Sequence, residues 1–217
     1  IGLVCVLPLA FFWIRSMIPS GYKPKFLILL ILGGLQGLMG WYMVKSGLID
    51  RPSVSHFRLA AHLSLAFIIY SYLIWLILSL SAKNVHPNKP LHIHAIFVLT
   101  CVTITIIWGA FTAGLDAGLI YNETFPKMGG QWIPPDFNKY DTLWINITSN
   151  HSAVQFTHRW LAILTVIAAL SLWFHGFIKK QNTYTLRIIA ILALVQISLG
   201  IATILSDVHT HIAATHQ

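Results

Sequence analysis

Charge is scarce in this sequence. Fourteen Lys and Arg and six Asp and Glu make up only 9% of 217 residues, while 56% are apolar and the mean hydropathy is +0.72. That balance excludes an ordinary water-soluble globular domain. Cysteine is scarcer still: Cys5 and Cys101 both lie inside apolar runs, and neither belongs to a CxxC pair. A disulfide framework and a thiolate metal site are therefore excluded. The basic residues fall in short clusters between apolar runs rather than along one face, which excludes nucleic-acid binding. Against these shortages stand eleven histidines.

A hydrocarbon layer of about 30 Å needs about 20 apolar helical residues, and that length sorts the chain. Full spans are predicted at Phe26 to Val44, Leu59 to Ser81, His92 to Gly114, Ala153 to Phe177 and Tyr184 to Leu205. Ile1 to Ile18 reads as the remainder of a helix, and His211 to Gln217 as the beginning of another. The expectation is an all-α integral membrane protein with seven membrane segments, five of them complete, cut from a longer chain.

Short cytoplasmic loops collect Lys and Arg. One side of the predicted bundle receives Arg15, Lys23, Lys25, Lys83, Lys89, Lys179, Lys180 and Arg187, and no acid. The other carries Lys45, Arg51, Arg58, Lys127, Lys139 and Arg159 with all six acids: Asp50, Asp116, Glu123, Asp136, Asp141 and Asp207. The acid-free side is placed in the cytoplasm or its mitochondrial equivalent. The loop 115–152, rich in Gly, Pro and aromatics, then lies outside and is expected to fold over the outer mouth.

The chain repeats itself. Gln36-Gly37-Leu38-Met39-Gly40 leads out of one predicted helix towards Leu59-Ala60-Ala61-His62, and Gln196-Ile197-Ser198-Leu199-Gly200 leads out of another towards Ala213-Ala214-Thr215-His216. His158, in Gln155-Phe156-Thr157-His158-Arg159, precedes Gln196 by 38 residues, and the same step back from Gln36 falls before Ile1. A fourth equivalent histidine is expected there. Two duplicated halves are expected, residues 1–82 and 83–217.

His62, His158 and His216 each lie near the outer end of a helix that runs inward. An ionisable residue inside a span is costly and is a functional candidate by default. Neutral imidazole is a good iron ligand, and two histidines on facing helices can hold a heme between them. The competing reading is hydrogen bonding between helices. The remaining histidines are weaker candidates. His92 and His94 are expected to be solvated, and His56, His86, His151, His209 and His211 lie in loops or at helix edges. His175 lies near a cytoplasmic end, and an outer copper or zinc site would need His151, His209 and His211 together. Arg58 lies one turn before His62, and Arg159 directly follows His158. Each guanidinium suits a heme propionate or an interfacial anchor. Gly33, Gly37 and Gly40 have small-xxx-small spacing, read as a surface for a neighbouring helix or a porphyrin. The sequons at Asn122, Asn146 and Asn150 are short patterns and carry no argument.

The strings Gln36 to Leu48, Arg58 to Leu63, Gly109 to Gly118, Tyr121-Asn122, Phe125 to Gly129, Trp132 to Pro134, Gln155 to Arg159 and Ala213 to Gln217 together closely resemble the heme A synthase family. The form resembled is the one shared by alphaproteobacteria and mitochondria. The resemblance implies eight helices in two halves. It implies heme b held in the second half by His158 and His216, and heme O, the substrate, held in the first between His62 and a histidine before Ile1, with a glutamate near that histidine. It further implies an oxidoreductase that converts the C8 methyl of heme O to the formyl of heme A by successive hydroxylations. The implied location is the bacterial inner membrane or, in a eukaryote, the mitochondrial inner membrane. Contact with the heme O-producing enzyme and with cytochrome oxidase assembly would follow. Duplicated histidine helices alone also suit a di-heme cytochrome relaying electrons, or a heme carrier serving oxidase assembly.

Overall fold

The computed structural model describes residues 2–47, 54–81, 88–181 and 183–217. Asp50, Arg51, Lys83 and His86 of the loop pattern lie outside the described residues, as does the boundary drawn between residues 82 and 83. The described residues are helical and carry no named strand. The helices are α1 (Gly2–Ile14), α2 (Lys23–Gly47), α3 (His56–Ser81), α4 (Lys89–Gly114), α5 (Leu143–Ser149), α6 (His151–Ile178), α7 (Thr183–Leu205) and α8 (Thr210–His216). Helices α2, α3, α4, α6 and α7 are long and apolar enough to cross a membrane, at the five positions expected from run length. This is a multi-pass helical membrane protein. The chain divides into two compact units, Ile1–Val85 and His86–Gln217.

In the first unit α2 and α3 pack side by side. With no water in the hydrocarbon layer, polar side chains must find partners within the protein, and here they join the two helices. The Tyr22 hydroxyl donates to the Ser79 carbonyl at 2.9 Å, and the Tyr72 hydroxyl to the Lys25 carbonyl at 3.1 Å.

In the second unit α6 lies between α4 and α7. Its seam is made of small and aliphatic residues, Val98, Cys101, Ala168, Ala169, Leu172 and Leu186, which allow close helix approach. The Thr105 and Thr165 hydroxyls meet across it at 2.8 Å. Cys5 and Cys101 are unpaired thiols. Both α4 and α6 open on an asparagine cap: Asn88 Oδ1 accepts from the Leu91 amide at 3.4 Å, and Asn150 Oδ1 from the Ser152 amide at 3.2 Å.

His92 is exposed, whereas His94 is half-buried and also has partners within the protein: its Nδ1 lies 3.1 Å from Nδ1 of His175, and its Nε2 lies 3.0 Å from the Ser171 hydroxyl. The cause is antiparallel packing. The first turns of α4 lie beside the last turns of α6, so histidines far apart in sequence share one level.

The loop 115–152 is folded, and α5 within it was not expected from the sequence. Gly129 and Gly130, at φ +62° and +80°, form a tight reversal closed by the Met128 amide donating to the Gln131 carbonyl at 2.8 Å. Buried polar side chains then tie the loop together. Asn146 donates to the carbonyls of Tyr140 and Thr142 at 2.6 and 3.1 Å and accepts from the Tyr140 amide at 2.9 Å. Asn150 donates to the carbonyls of Asp136 and Phe137 at 2.7 and 3.0 Å. Asp136 accepts from the hydroxyls of Tyr121 and Ser152. Burial alone would raise its carboxyl, but those two hydrogen bonds, with the nearby Lys139 charge, hold it below the ordinary value. The loop fastens to the helices through Gln155, which donates to the Ile120 carbonyl at 3.0 Å, and Trp108, which donates to the Ile147 carbonyl at 2.9 Å. The three sequon asparagines are buried, and Asn122 too has a partner, donating to the Asp207 carboxylate at 3.2 Å. Asn146→Ala leaves the Tyr140 amide and carbonyl without their side-chain partner, and a loss of about 2 kcal/mol is expected. Thermal unfolding of the purified full-length protein checks it: an unchanged midpoint would refute the bracing role.

Candidate functional site

The three candidate histidines share one local arrangement, and each is completed by a helix preceding its own in sequence. His62 is the seventh residue of α3, His158 the eighth of α6 and His216 the last of α8. A side chain placed at Gly40 of α2 would meet His62 Cε1 at 3.2 Å. One at Gly109 of α4 would meet His158 Cε1 at 3.1 Å, and one at Gly200 of α7 would meet His216 Cε1 at 3.0 Å. Each imidazole edge therefore lies in the space that a Cβ would fill. Only glycine leaves that space without shifting the ring.

Four residues before two of these glycines stands a glutamine, one helical turn away. Gln36 Nε2 donates to the His62 carbonyl at 3.3 Å and lies 3.3 Å from His62 Nε2. Gln196 Nε2 likewise donates to the His216 carbonyl. Thr105 takes this position before Gly109. The repeat read from the sequence is thus also a repeat of contacts, found separately in the two units.

Gly33 and Gly37 behave otherwise. A Cβ at either meets nothing within 4 Å among the described residues, so the small-xxx-small surface expected along α2 has a partner only at Gly40. An apolar groove of about 400 Å³ runs along the same helix, lined by Leu35, Leu38, Met39, Trp41, Tyr42 and Leu65. A groove of about 450 Å³ follows α7 beside Leu194, Val195, Ser198, Leu199 and Ala202. With Gln36 aligned on Gln196, four residues of the first groove, Leu35, Leu38, Met39 and Tyr42, match Val195, Ser198, Leu199 and Ala202 of the second.

Within the second unit, His158 and His216 face each other with ring centres 6.5 Å apart and planes at 67°. Iron–nitrogen bonds of about 2 Å on each side, with about 1 Å from nitrogen to ring centre, give about 6 Å for two imidazoles sharing one iron. The Nδ1 atoms of both rings, like that of His62, are buried and have no partner among the described residues. Unsatisfied buried nitrogens are costly and mark places where a ligand or a further polar group belongs. Arg159 adds a second open demand. Its Nε and Nη2 are buried without partners, and Nη1 makes only a long 3.5 Å bond to the Pro126 carbonyl beside the Phe125 ring. A buried guanidinium with free donors fits a carboxylate. The residues present therefore fit a heme with its propionates.

Arg58 lies over the Tyr42 ring, 4.8 Å from its centre. The outer copper or zinc site does not form: His209 and His211 are adjacent, with ring centres 5.6 Å apart, but no group of three His, Cys, Asp or Glu gathers among the described residues. Sequence reasoning missed the glycine beneath each histidine, Gln36 and Gln196 as donors, and the His94–His175 contact. The glutamines and two of the glycines lay in the repeated strings, so the repeat carried the signal. Their contact with the histidines did not follow from it.

Known proteins are similar to this chain in sequence. The family model described as cytochrome oxidase assembly protein, COX15-CtaA, matches residues 1–217. A heme A synthase of Rhodospirillum centenum (strain ATCC 51521 / SW) is 42% identical over all of this chain and 59% of its own length. The human heme A synthase COX15 is 41% identical over all of this chain and 56% of its own length, and a heme A synthase of Mesorhizobium japonicum is 42% identical over all of this chain and 61% of its own. The chain spans about three fifths of the length of these curated relatives. No solved structure matches it. Matched by the family model from its first residue to its last, the chain belongs to the COX15-CtaA family of cytochrome oxidase assembly proteins.

Proposed function

We propose that the full-length protein is a heme A synthase, an oxidoreductase that converts the C8 methyl of heme O to the formyl of heme A. The observation that carries this reading is the His158–His216 pair, two imidazoles at iron-sharing distance with buried nitrogens left open. The second half, residues 83–217, is assigned to heme b and the first, residues 1–82, to heme O. His158 and His216 would ligate heme b, and Arg159 would take a propionate. His62 would ligate heme O, with Arg58 at a propionate. Heme b, when bound, would supply a one-electron redox centre.

The protein's own contribution is position. Gly109 and Gly200 set how deeply each imidazole seats against its neighbouring helix. Gln196 holds the backbone of His216, and Gln36 holds that of His62 with its ring nitrogen. Gln155, three residues before His158, fastens the loop 115–152 over the first turn of α6. The acid-free loops are assigned to the cytoplasmic or matrix side and the loop 115–152 to the outer side. The membrane assigned is the bacterial inner membrane or, in a eukaryote, the mitochondrial inner membrane, with the heme O-producing enzyme and oxidase assembly as the assigned partners.

Extraction of the hemes after expression of the full-length protein with a source of heme O tests the activity: heme A or its hydroxylated intermediate is expected. Unaltered heme O throughout would leave an electron-relay cytochrome or a heme carrier. His158→Ala and His216→Ala should each remove the low-spin heme b spectrum while the protein still inserts, and an unchanged spectrum in either would refute the ligand assignment. His62→Ala should abolish heme A formation while leaving heme b intact. Proportional loss of protein and both hemes would instead mean that His62 serves helix packing. Gly109→Ala and Gly200→Ala should weaken heme b binding by about 1–3 kcal/mol through overpacking against the ligand ring. Gly33→Ala should not. Heme titration of the three variants checks this, and equal affinities would show that the glycine contacts do not govern ligation.

A further inference from the structure

Helix α5, within the loop 115–152, is inside out for a segment surrounded by water. In α5 the side chains turned into the protein are polar: Asn146 is 1% exposed and Thr148 2%, with Asn150 and Ser152 buried beyond them. Those left on the outside are Leu143, Trp144 and Ile145, the first two 61% and 62% exposed, and the loop also exposes Trp132 and Ile133. Hydrophobic side chains outside and hydrogen-bonding ones inside is the distribution expected of a surface whose solvent is apolar.

The level at which α5 lies agrees. Trp108, whose indole holds the Ile147 carbonyl, comes six residues before the end of α4, about 9 Å down the helix axis. Helix α5 therefore lies beside the outer turns of a membrane-crossing helix, not above them. A single residue, Asn150, separates it from α6, the next crossing helix. The rim of the loop has the composition of a membrane boundary. Lys127 Nζ lies 5.9 Å from the Trp132 ring centre, and Lys139 Nζ lies 5.7 Å from that of Tyr140. Aromatic rings with an apolar body and a polar tip settle at headgroup level, and ammonium groups there meet lipid phosphates.

We infer that α5 and the Trp132–Ile133 turn are seated in the outer lipid leaflet, at the boundary between headgroups and acyl chains. The occupant of this apolar face is lipid, because the face is continuous with α4 and α6, the crossing helices beside it, and is edged by aromatic and cationic side chains. The inference is independent of heme binding. It assigns the loop a second attachment: its polar interior grips the helices, and its apolar exterior grips the bilayer.

The test uses the full-length protein in a cysteine-free background, in nanodiscs of phosphatidylcholine and phosphatidylglycerol. Nitroxide labels are placed through Trp144→Cys and, separately, Ile133→Cys, with Glu123→Cys as the exposed polar reference. Collision with dissolved oxygen, which concentrates in lipid, is compared with collision with a water-soluble nickel chelate. The expected result is an oxygen-to-nickel ratio at positions 144 and 133 several-fold above that at 123. A ratio equal to the reference would put the face in water, and shielding from both agents would put it against another protein surface. Either overturns the inference. Should Trp144→Cys fail to accumulate, the label at Ile133 decides alone.

Discussion

The contact on which the site depends is an imidazole edge resting on a helix backbone where a glycine has no side chain. In lipid a histidine has no water to orient it, and an unheld ring would sample rotamers that leave its nitrogens unsatisfied. Seating the Cε1 edge against Gly40, Gly109 or Gly200 removes that freedom at close range, between 3.0 and 3.2 Å from the missing Cβ. At His62 and His216 a glutamine also acts on the backbone. Ring and main chain are thus held from one neighbouring helix, and the buried Nδ1 atoms remain open. A site held this way is rigid before anything binds, so little ordering is left for the ligand to supply.

The second unit adds a braced loop to that arrangement. Its interior is a hydrogen-bonded set in which Asn146, Asn150 and Gln155 make contacts that secondary structure would otherwise provide. A loop of this length would be too mobile to shape a pocket without them. The orphaned donors of Arg159 lie beside Phe125 and Pro126 of that loop. Loop order and the placement of the Arg159 guanidinium are therefore coupled through a few residues near the start of α6.

Much of the fold was legible because one physical rule dominates it. Crossing a hydrocarbon layer fixes helix length, and five apolar runs of that length became α2, α3, α4, α6 and α7. The histidines stood out because ionisable groups in lipid are costly, and the Gln-x-x-x-Gly repeat pointed at the helices that meet them. What the repeat did not convey was the contact itself. Glycines at positions 33, 37 and 40 look alike by spacing, yet only position 40 faces a ring, because that depends on how α2 is rotated against α3. His94 and His175 escaped notice for a related reason: their approach follows from antiparallel pairing, not from periodicity. Helix α5 was hidden because its buried side is polar and its exposed side apolar, the reverse of the pattern used to find helices in a loop.

The distances along the chain between each glycine and its histidine differ widely. Gly40 and His62 are 22 positions apart, Gly109 and His158 49, and Gly200 and His216 16, yet the three contacts agree to within 0.2 Å. Ring placement is therefore gauged across the bundle, helix to helix, and owes nothing to the length of the connecting segment. Such a gauge releases the connections from any duty of measurement. They can lengthen, acquire a helix or shrink to a few residues over evolutionary time while each imidazole stays where it is.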